Sequence, residues 1–132
     1  MTDILIETNT FSAFIKGDKK VISELGKTNN ISISVVTIGE LSYGFKKGAK
    51  EASNQAILEN FIKGLRITIL KVTLESAKIY GQIKYDLMKK GLPIPENDIW
   101  IAAQAIETGS VLVTYDKHFL QIPRVKVWKV LK

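Results

Sequence analysis

The sequence has 132 residues, of which 45% are hydrophobic and 24% charged, as expected of one soluble globular domain with a sizeable core. It contains no cysteine and one histidine, which argues against disulfides, thiol chemistry and zinc sites. No apolar run approaches the roughly 20 residues that span a membrane, and the first residues lack the features of a secretion signal, so we expect a cytoplasmic protein.

The chain is basic, with 19 Lys and Arg against 13 Asp and Glu and a formal net charge of +6. A basic surface attracts a polyanion such as a nucleic acid. Excess lysine that only keeps the surface soluble gives the same composition. Charge alone does not separate these two interpretations.

Short apolar runs alternate with segments of helical periodicity along the whole chain. The pattern predicts strands over residues 3–6, 31–34, 67–72, 111–114 and 125–130, and helices over residues 8–15, 19–25, 37–47, 51–65, 73–90 and 98–108. Strands that alternate with helices form βαβ units, so the sequence predicts an α/β fold with a parallel sheet.

Local signals mark where several of these helices begin and end. Thr8 or Asn9 is expected near the N-cap of the first helix. Thr73 begins a sequence that resembles a capping box, and Gly91 is expected to end the helix that follows it. The periodicity of the helix over residues 51–65 predicts a buried face made of Ala56, Ile57, Phe61 and Ile62.

Four acidic residues stand where the strands of a parallel sheet would bring them together: Glu7, Glu40, Asp98 and Asp116. Glu7 and Asp116 follow buried strands, and ligands of open α/β sheets bind outside the carboxyl ends of the strands. Two carboxylates about 5 Å apart repel by roughly 3 kcal/mol at an effective dielectric constant of about 20. A cluster of divalent cations is the natural counter-charge, and oxygen ligands suit Mg2+ or Mn2+.

Four segments that contain these acids, at residues 5–9, 34–41, 98–105 and 113–119, resemble the four motifs of PIN-domain nucleases. The branch that the chain resembles most is the VapC toxins of prokaryotic toxin–antitoxin pairs. The resemblance extends over essentially the whole chain, so we expect residues 1–132 to form a single PIN domain. Each motif alone is a weak signal, whereas four in order with fitting spacing are a strong one.

The resemblance implies a three-layer α/β/α sandwich with a short parallel sheet and one or two Mg2+ or Mn2+ ions in an acidic pocket. It implies an endoribonuclease that cleaves single-stranded or loop RNA, with tRNA frequent in this branch. It also implies inhibition by a VapB-like antitoxin. The chain is expected to form a homodimer, which joins the antitoxin in a hetero-oligomer. Operator DNA is expected to be contacted only through the antitoxin, and no membrane partner is expected.

The same resemblance assigns roles to individual residues. Glu7, Glu40, Asp98 and Asp116 correspond to the catalytic and metal-binding acids of the family. Three polar residues match positions that hold those acids or a water: Thr8, Asn9 and Thr114. The expected chemistry is metal-assisted hydrolysis of a phosphodiester, which needs no protein nucleophile.

Glu7 departs from the family pattern, because the first acid is normally Asp in an Asp-Thr-Asn sequence. Glutamate is one methylene longer, so its carboxylate moves outward or folds back. Since Mg2+ demands near-ideal octahedral geometry, we expect weak activity. The departure is either natural variation or an attenuating replacement. The alternative function is therefore a catalytically weak PIN-like module that binds RNA or a protein partner.

Other residues near the predicted site have plainer interpretations. His118, the only histidine, is expected at the rim of the pocket, because a carboxylate–metal mechanism does not need it. Lys46, Lys47 and Lys50 form a short charge run that is typical of a solvated helix end. The helices over residues 8–15 and 51–65 are amphipathic and would leave an apolar groove for an antitoxin helix, although core burial explains most of the same pattern.

Overall fold

The computed structural model describes residues 2–131 of the chain. The strands are β1 (Ile4–Ile6), β2 (Ile31–Ser34), β3 (Thr68–Leu70), β4 (Val111–Val113) and β5 (Lys126–Val127). The helices are α1 (Thr8–Ile15), α2 (Lys19–Leu25), α3 (Val35–Lys47), α4 (Glu51–Gly64), α5 (Leu74–Lys90) and α6 (Glu96–Thr108), and a 3-10 helix covers Lys117–Gln121.

The strands form one parallel sheet in the order β3-β2-β1-β4-β5. Ile4 of β1 pairs with Ile31 on one side and with Val111 on the other, so β1 is the central strand. The chain runs outward from β1 to β3 and then resumes on the opposite side at β4. The topological switch point therefore lies between β1 and β4, and the crevice beyond their carboxyl ends is the expected ligand position.

Helices cover both faces of the sheet, because successive side chains of each strand point to opposite faces. Leu5 packs into a core with residues of α5 and α6, whereas Ile4 and Ile6 pack into a second core with residues of α1, α2, α3 and α4. The predicted three-layer α/β/α sandwich with a short parallel sheet is confirmed.

Helix α6 is the most deeply buried helix of the fold and provides a firm base for the residue at its start. Ile99 and all five residues from Ile101 to Ala105 are buried. The fully buried Gln104 donates from Nε2 to the carbonyl oxygens of Leu70 (3.3 Å) and Lys71 (3.1 Å), which ties α6 to the end of β3. Asp98, in the first turn of α6, therefore projects from a well-anchored element.

Several predicted boundaries change by a few residues. Helix α3 begins at Val35, two residues early, because Ser34 Oγ accepts a hydrogen bond from the Val36 N–H (3.0 Å) and caps it. Gly91 ends α5 as predicted, with φ of 67° in the left-handed region that glycine adopts without strain. The last strand is only Lys126–Val127.

The predicted buried face of α4 is right for two of its four residues. Phe61 is buried and Ile62 is partly buried, whereas Ala56 is exposed, Ile57 is 38% exposed, and Leu58 is buried in their place. Apolar residues stand at consecutive positions in this helix, so periodicity alone does not choose the face. Contact with Phe11 and Phe14 of α1 does, because both rings meet Phe61 edge-on, with ring centroids 5.1 and 5.0 Å apart.

Among residues 2–131 we find no helix with the length and hydropathy to cross a bilayer.

Candidate active site

Asp98 and Asp116 reach the same place from different elements. Asp98 lies in the first turn of α6, whose N-cap residue Pro95 makes no side-chain capping bond. Asp116 follows β4 and caps the 3-10 helix, where its Oδ1 accepts a hydrogen bond from the His118 N–H (2.9 Å). The buried Thr114 accepts the Asp116 N–H at its Oγ1 (2.9 Å) and thereby holds the turn that presents this carboxylate.

Asp98, Asp116 and His118 form a tight group in which each residue offers one ligand atom within 4.8 Å of the others. His118 Nδ1 lies 3.1 Å from Asp116 Oδ1 and 3.5 Å from Asp98 Oδ2. The two carboxylates are partly buried, whereas the imidazole is 49% exposed. His118 lies at the exposed edge of the group, and its imidazole also contacts both acids, which the sequence did not predict.

The electrostatics of this group favour a bound cation. Burial raises the pKa of Asp98, and the negative charges of Asp116 and Glu40 raise that pKa further. The hydrogen bond with His118 acts in the opposite direction. A divalent cation would stabilise the ionised carboxylates in the same way as the imidazole but with a larger charge.

Glu40 is close to the group but lies outside it. It projects from the second turn of α3, and its Oε1 accepts a hydrogen bond from Thr8 Oγ1 (3.0 Å). Its negative charge contributes to the raised pKa of Asp98. Thr8 therefore orients one of the four acids.

Glu7 is only 3% exposed, and its carboxylate folds back onto α1. Its Oε1 accepts the Thr10 N–H (3.1 Å) and lies 3.2 Å from Thr10 Oγ1, so Glu7 is the N-cap residue. Thr8 lies next to the N-cap as expected, but the capping residue itself is Glu7, whose backbone is extended and whose carboxylate accepts one of the N–H groups that the first turn leaves unpaired. Burial raises the pKa of Glu7 to about 7, against the lowering effect of its hydrogen bonds.

Thr10 and Asn9 complete the surroundings of Glu7. Thr10 is buried, and its hydroxyl also contacts the carbonyl of Val113, so it joins the start of α1 to the end of β4. Sequence reasoning missed Thr10, although its position three residues after an acid is the spacing of an N-cap pair. Asn9 is exposed, and its backbone contributes a hydrogen bond that lowers the Glu7 pKa.

Comparison with known proteins identifies the family. The PIN domain family model matches residues 4–125. The chain is 37% identical over 102 residues to Ribonuclease VapC2 of Rickettsia felis, covering 76% of this chain and 75% of the relative. It is 33% identical over 130 residues to the tRNA(fMet)-specific endonuclease VapC of Salmonella typhimurium, covering 96% and 97%.

Solved structures agree with the sequence relatives. A chain in the crystal structure of VapBC2 from Rickettsia felis bound to a promoter DNA fragment superposes with a TM-score of 0.87 at 30% identity, over 96% of this chain and 98% of that one. A chain of DNA-bound VapBC from Salmonella typhimurium gives a TM-score of 0.87 at 31% identity, over 97% and 98%. The chain therefore belongs to the PIN domain family and, within it, to the VapC proteins.

Proposed function

We propose that this chain is the toxin of a type II toxin–antitoxin pair and acts as a divalent-metal-dependent endoribonuclease. The observation that carries the proposal is the convergence of Asp98 and Asp116 at the switch point of the sheet, beside Glu40 and Glu7. The names of the relatives, ribonuclease and endonuclease, support the same activity. The proposal takes residues 1–132 as one PIN domain, since the family match spans 4–125.

The donor set fits a hard divalent cation. Asp98 and Asp116 would hold Mg2+ or Mn2+, and Glu40 would add negative charge beside it. When bound, such an ion supplies an acidified water and neutralises charge on the phosphate and the leaving oxygen.

The chain's own side chains supply positioning and proton transfer. Glu40, oriented by Thr8, is the carboxylate best placed to accept a proton from an attacking water, because it stands beside the group without belonging to it. Thr114 keeps Asp116 in place through the backbone of the turn. Glu7 keeps the first turn of α1 in place, and that turn carries Thr8.

A groove that begins at Glu40 offers a path for single-stranded RNA. It has a volume of about 660 Å3, and its walls include Thr8, Asn97, Tyr43 and Lys47. Tyr43 is 65% exposed, and Lys47 Nζ lies 4.7 Å from the centre of its ring. An exposed ring for base stacking beside a cation for phosphate is the usual combination for binding single strands. We take tRNA as the first substrate to test, because the Salmonella relative is named for tRNA(fMet).

The partner that we propose is a VapB-like antitoxin, since the superposed chains come from VapBC complexes. A second groove, of about 230 Å3, is lined on α1, α3 and α4 by apolar side chains that include Phe11, Ile15, Phe45 and Ile57. An amphipathic antitoxin helix would bury these side chains. In the complex we expect a toxin homodimer, with operator DNA bound through the antitoxin.

One observation favours the alternative function, a catalytically weak PIN-like module that binds RNA or a protein. The Glu7 carboxylate caps α1, so the acid that corresponds to the family's first Asp does not join the tight group of ligand atoms. A module of this kind would keep its affinity for RNA and leave the RNA intact.

The experiment that separates these functions is incubation of the purified, tag-free protein with a tRNA mixture in Mg2+, in Mn2+ and in chelator. The proposed nuclease gives discrete fragments only with metal, and Asp98→Asn gives none. Lys117→Ala is the matched control, because Lys117 is exposed between Asp116 and His118 and makes no proposed contact. Intact RNA in every reaction, together with a stable protein–RNA complex, would favour the binding module.

A further inference from the structure

His118 is the only histidine of the chain, and its imidazole faces both acids of the candidate metal site. Its position is built by the turn itself. The Asp116 carboxylate accepts a hydrogen bond from the backbone N–H of His118 at 2.9 Å. The imidazole lies on the same side of the turn as that carboxylate. The ring Nδ1 then lies 3.1 Å from Asp116 Oδ1 and 3.5 Å from Asp98 Oδ2.

These separations are those of neighbouring ligands on one ion. An octahedral ion with ligand bonds of about 2.1 Å places adjacent ligand atoms about 3.0 Å apart. The two distances from Nδ1 are close to that value, and all three ligand atoms fall within 4.8 Å of one another. A small rotation of an imidazole that is 49% exposed therefore suffices to turn its lone pair towards a shared ion.

The position of Glu7 strengthens this interpretation independently. Its Oε1 is occupied by the backbone N–H of Thr10 at 3.1 Å, in a capping bond that α1 needs. The tight group contains two carboxylates and one imidazole, and Glu7 is not among them. The third potential ligand atom of the group is thus a nitrogen, where the family resemblance implies an oxygen.

We infer that His118 Nδ1 is a ligand of the divalent cation, together with Asp98 and Asp116, and that this ligand makes the site selective for Mn2+ over Mg2+. Imidazole nitrogen binds transition ions far better than it binds Mg2+, which prefers oxygen. The inference rests on the proposed function, because it concerns the metal of that same site. Mn2+ also accepts the half-exposed, partly irregular ligand set more readily than an ion that demands regular octahedral geometry.

The competing explanation is that His118 acts as a built-in cation. A protonated imidazole between two carboxylates would balance their charge and would compete with a metal for the site. The two explanations predict opposite effects of removing the ring. If the imidazole is a ligand, its removal weakens Mn2+ binding. If it is a cation that competes with the metal, its removal leaves Mn2+ binding unchanged or strengthens it.

The direct test is electron spin-echo envelope modulation of Mn2+ bound to the tag-free full chain, with calorimetric titration of Mn2+ and of Mg2+. Because the chain has one histidine, an imidazole nitrogen signal can come only from His118. We expect that signal in the unmodified protein and in Lys117→Ala, and its loss in His118→Ala. Mn2+ affinity should fall by at least about tenfold in His118→Ala, and Mg2+ affinity by less.

The outcomes also separate this inference from the proposed function. Mn2+ that binds without an imidazole signal, or that binds His118→Ala as tightly as the unmodified protein, overturns the role of His118 and leaves the metal site standing. If the unmodified chain binds neither Mn2+ nor Mg2+, both the role of His118 and the proposed metal site are overturned. Circular dichroism melts of the His118→Ala protein verify that lost affinity does not come from lost folding.

Discussion

Thr8 donates a hydrogen bond from its hydroxyl to the carboxylate of Glu40, at 3.0 Å and 32 positions apart in sequence. The bond joins the first residue of α1 to the second turn of α3. Because Glu7 caps α1, the placement of Glu40 depends on Glu7 through Thr8. The positions of Glu7 and Glu40 are thus coupled, although neither carboxylate belongs to the group formed by Asp98, Asp116 and His118.

Removal of the Thr8 hydroxyl should slow catalysis more than it weakens folding. Thr8→Val leaves the Glu40 carboxylate without its donor, and a misplacement of about 1 Å at such a residue can cost on the order of 100-fold in rate. We expect RNA cleavage to slow by at least about tenfold, with an unchanged melting temperature to within a few degrees. Thr8→Ser keeps the donor and should retain most of the activity. An equally slow Thr8→Ser variant would contradict this role for the hydroxyl.

Loss of the Glu7 cap should destabilise the fold. Glu7→Ala removes the acceptor of the Thr10 N–H, and loss of an N-cap side chain costs about 1 kcal/mol. Glu7→Gln keeps an oxygen acceptor and should lose little. Urea unfolding of the three proteins measures the difference. If Glu7→Gln and Glu7→Ala are equally unstable, the capping bond is not what the carboxylate contributes.

The buried carboxyl of Glu7 should make stability depend on pH. Its pKa is raised to about 7 from the ordinary 4.5, so the folded state retains a proton that the unfolded state releases. The free energy of unfolding should therefore decrease as pH rises from about 4.5 to about 7, by at most ~1.4 kcal/mol per pH unit, and level off above. Melts in chelator should show a steeper decrease for the unmodified chain than for Glu7→Gln. Parallel pH profiles for the two proteins would refute this.

Shortening the same side chain should raise activity. Asp also caps helices, and it is the residue that the family resemblance implies at this position. We expect Glu7→Asp to raise the rate of Mg2+-dependent RNA cleavage by at least about tenfold. A carboxylate displaced by about 1 Å from its productive position can lower the rate on the order of 100-fold. Cleavage of one RNA by two proteins matched in circular dichroism measures this. If the Asp variant is no faster, Glu7→Ala decides whether position 7 belongs to the site at all.

Metal should stabilise the folded chain, because Asp98 and Asp116 repel one another without it. A ligand at about 100 times its Kd adds roughly 2.7 kcal/mol to the free energy of unfolding. Thermal melts in millimolar Mn2+ or Mg2+ against chelator should show the increase. The double variant Asp98→Asn, Asp116→Asn should show none, and an equal shift in that variant would place the metal elsewhere.

Much of the fold follows from local patterns in the sequence. The ends of α1, α2 and β2 agree residue for residue with the prediction, because each is set by neighbouring residues such as Gly17, Asp18 and Ser34. Local patterns also place an acid after β1 and another after β4. The parallel sheet then brings those two strand ends together without any further information.

Details that depend on side-chain direction and on distant elements were not predictable in this way. His118 meets Asp98 across 20 positions of sequence, through the docking of α6 against the turn after β4. Glu7 bends towards Thr10 because the carboxylate is buried and the start of α1 has an unpaired N–H within reach. Neither direction follows from the spacing of residues along the chain.

The measurement that tests the central claim most directly compares RNA cleavage and RNA affinity in the unmodified chain and in Asp116→Asn. The account predicts metal-dependent fragments from the unmodified chain and none from the variant. It also predicts equal or slightly tighter RNA binding by the variant, because a negative charge near the phosphate is removed, with affinity that falls steeply between low and physiological salt. Full cleavage by Asp116→Asn, or RNA binding that does not respond to salt, would contradict the account.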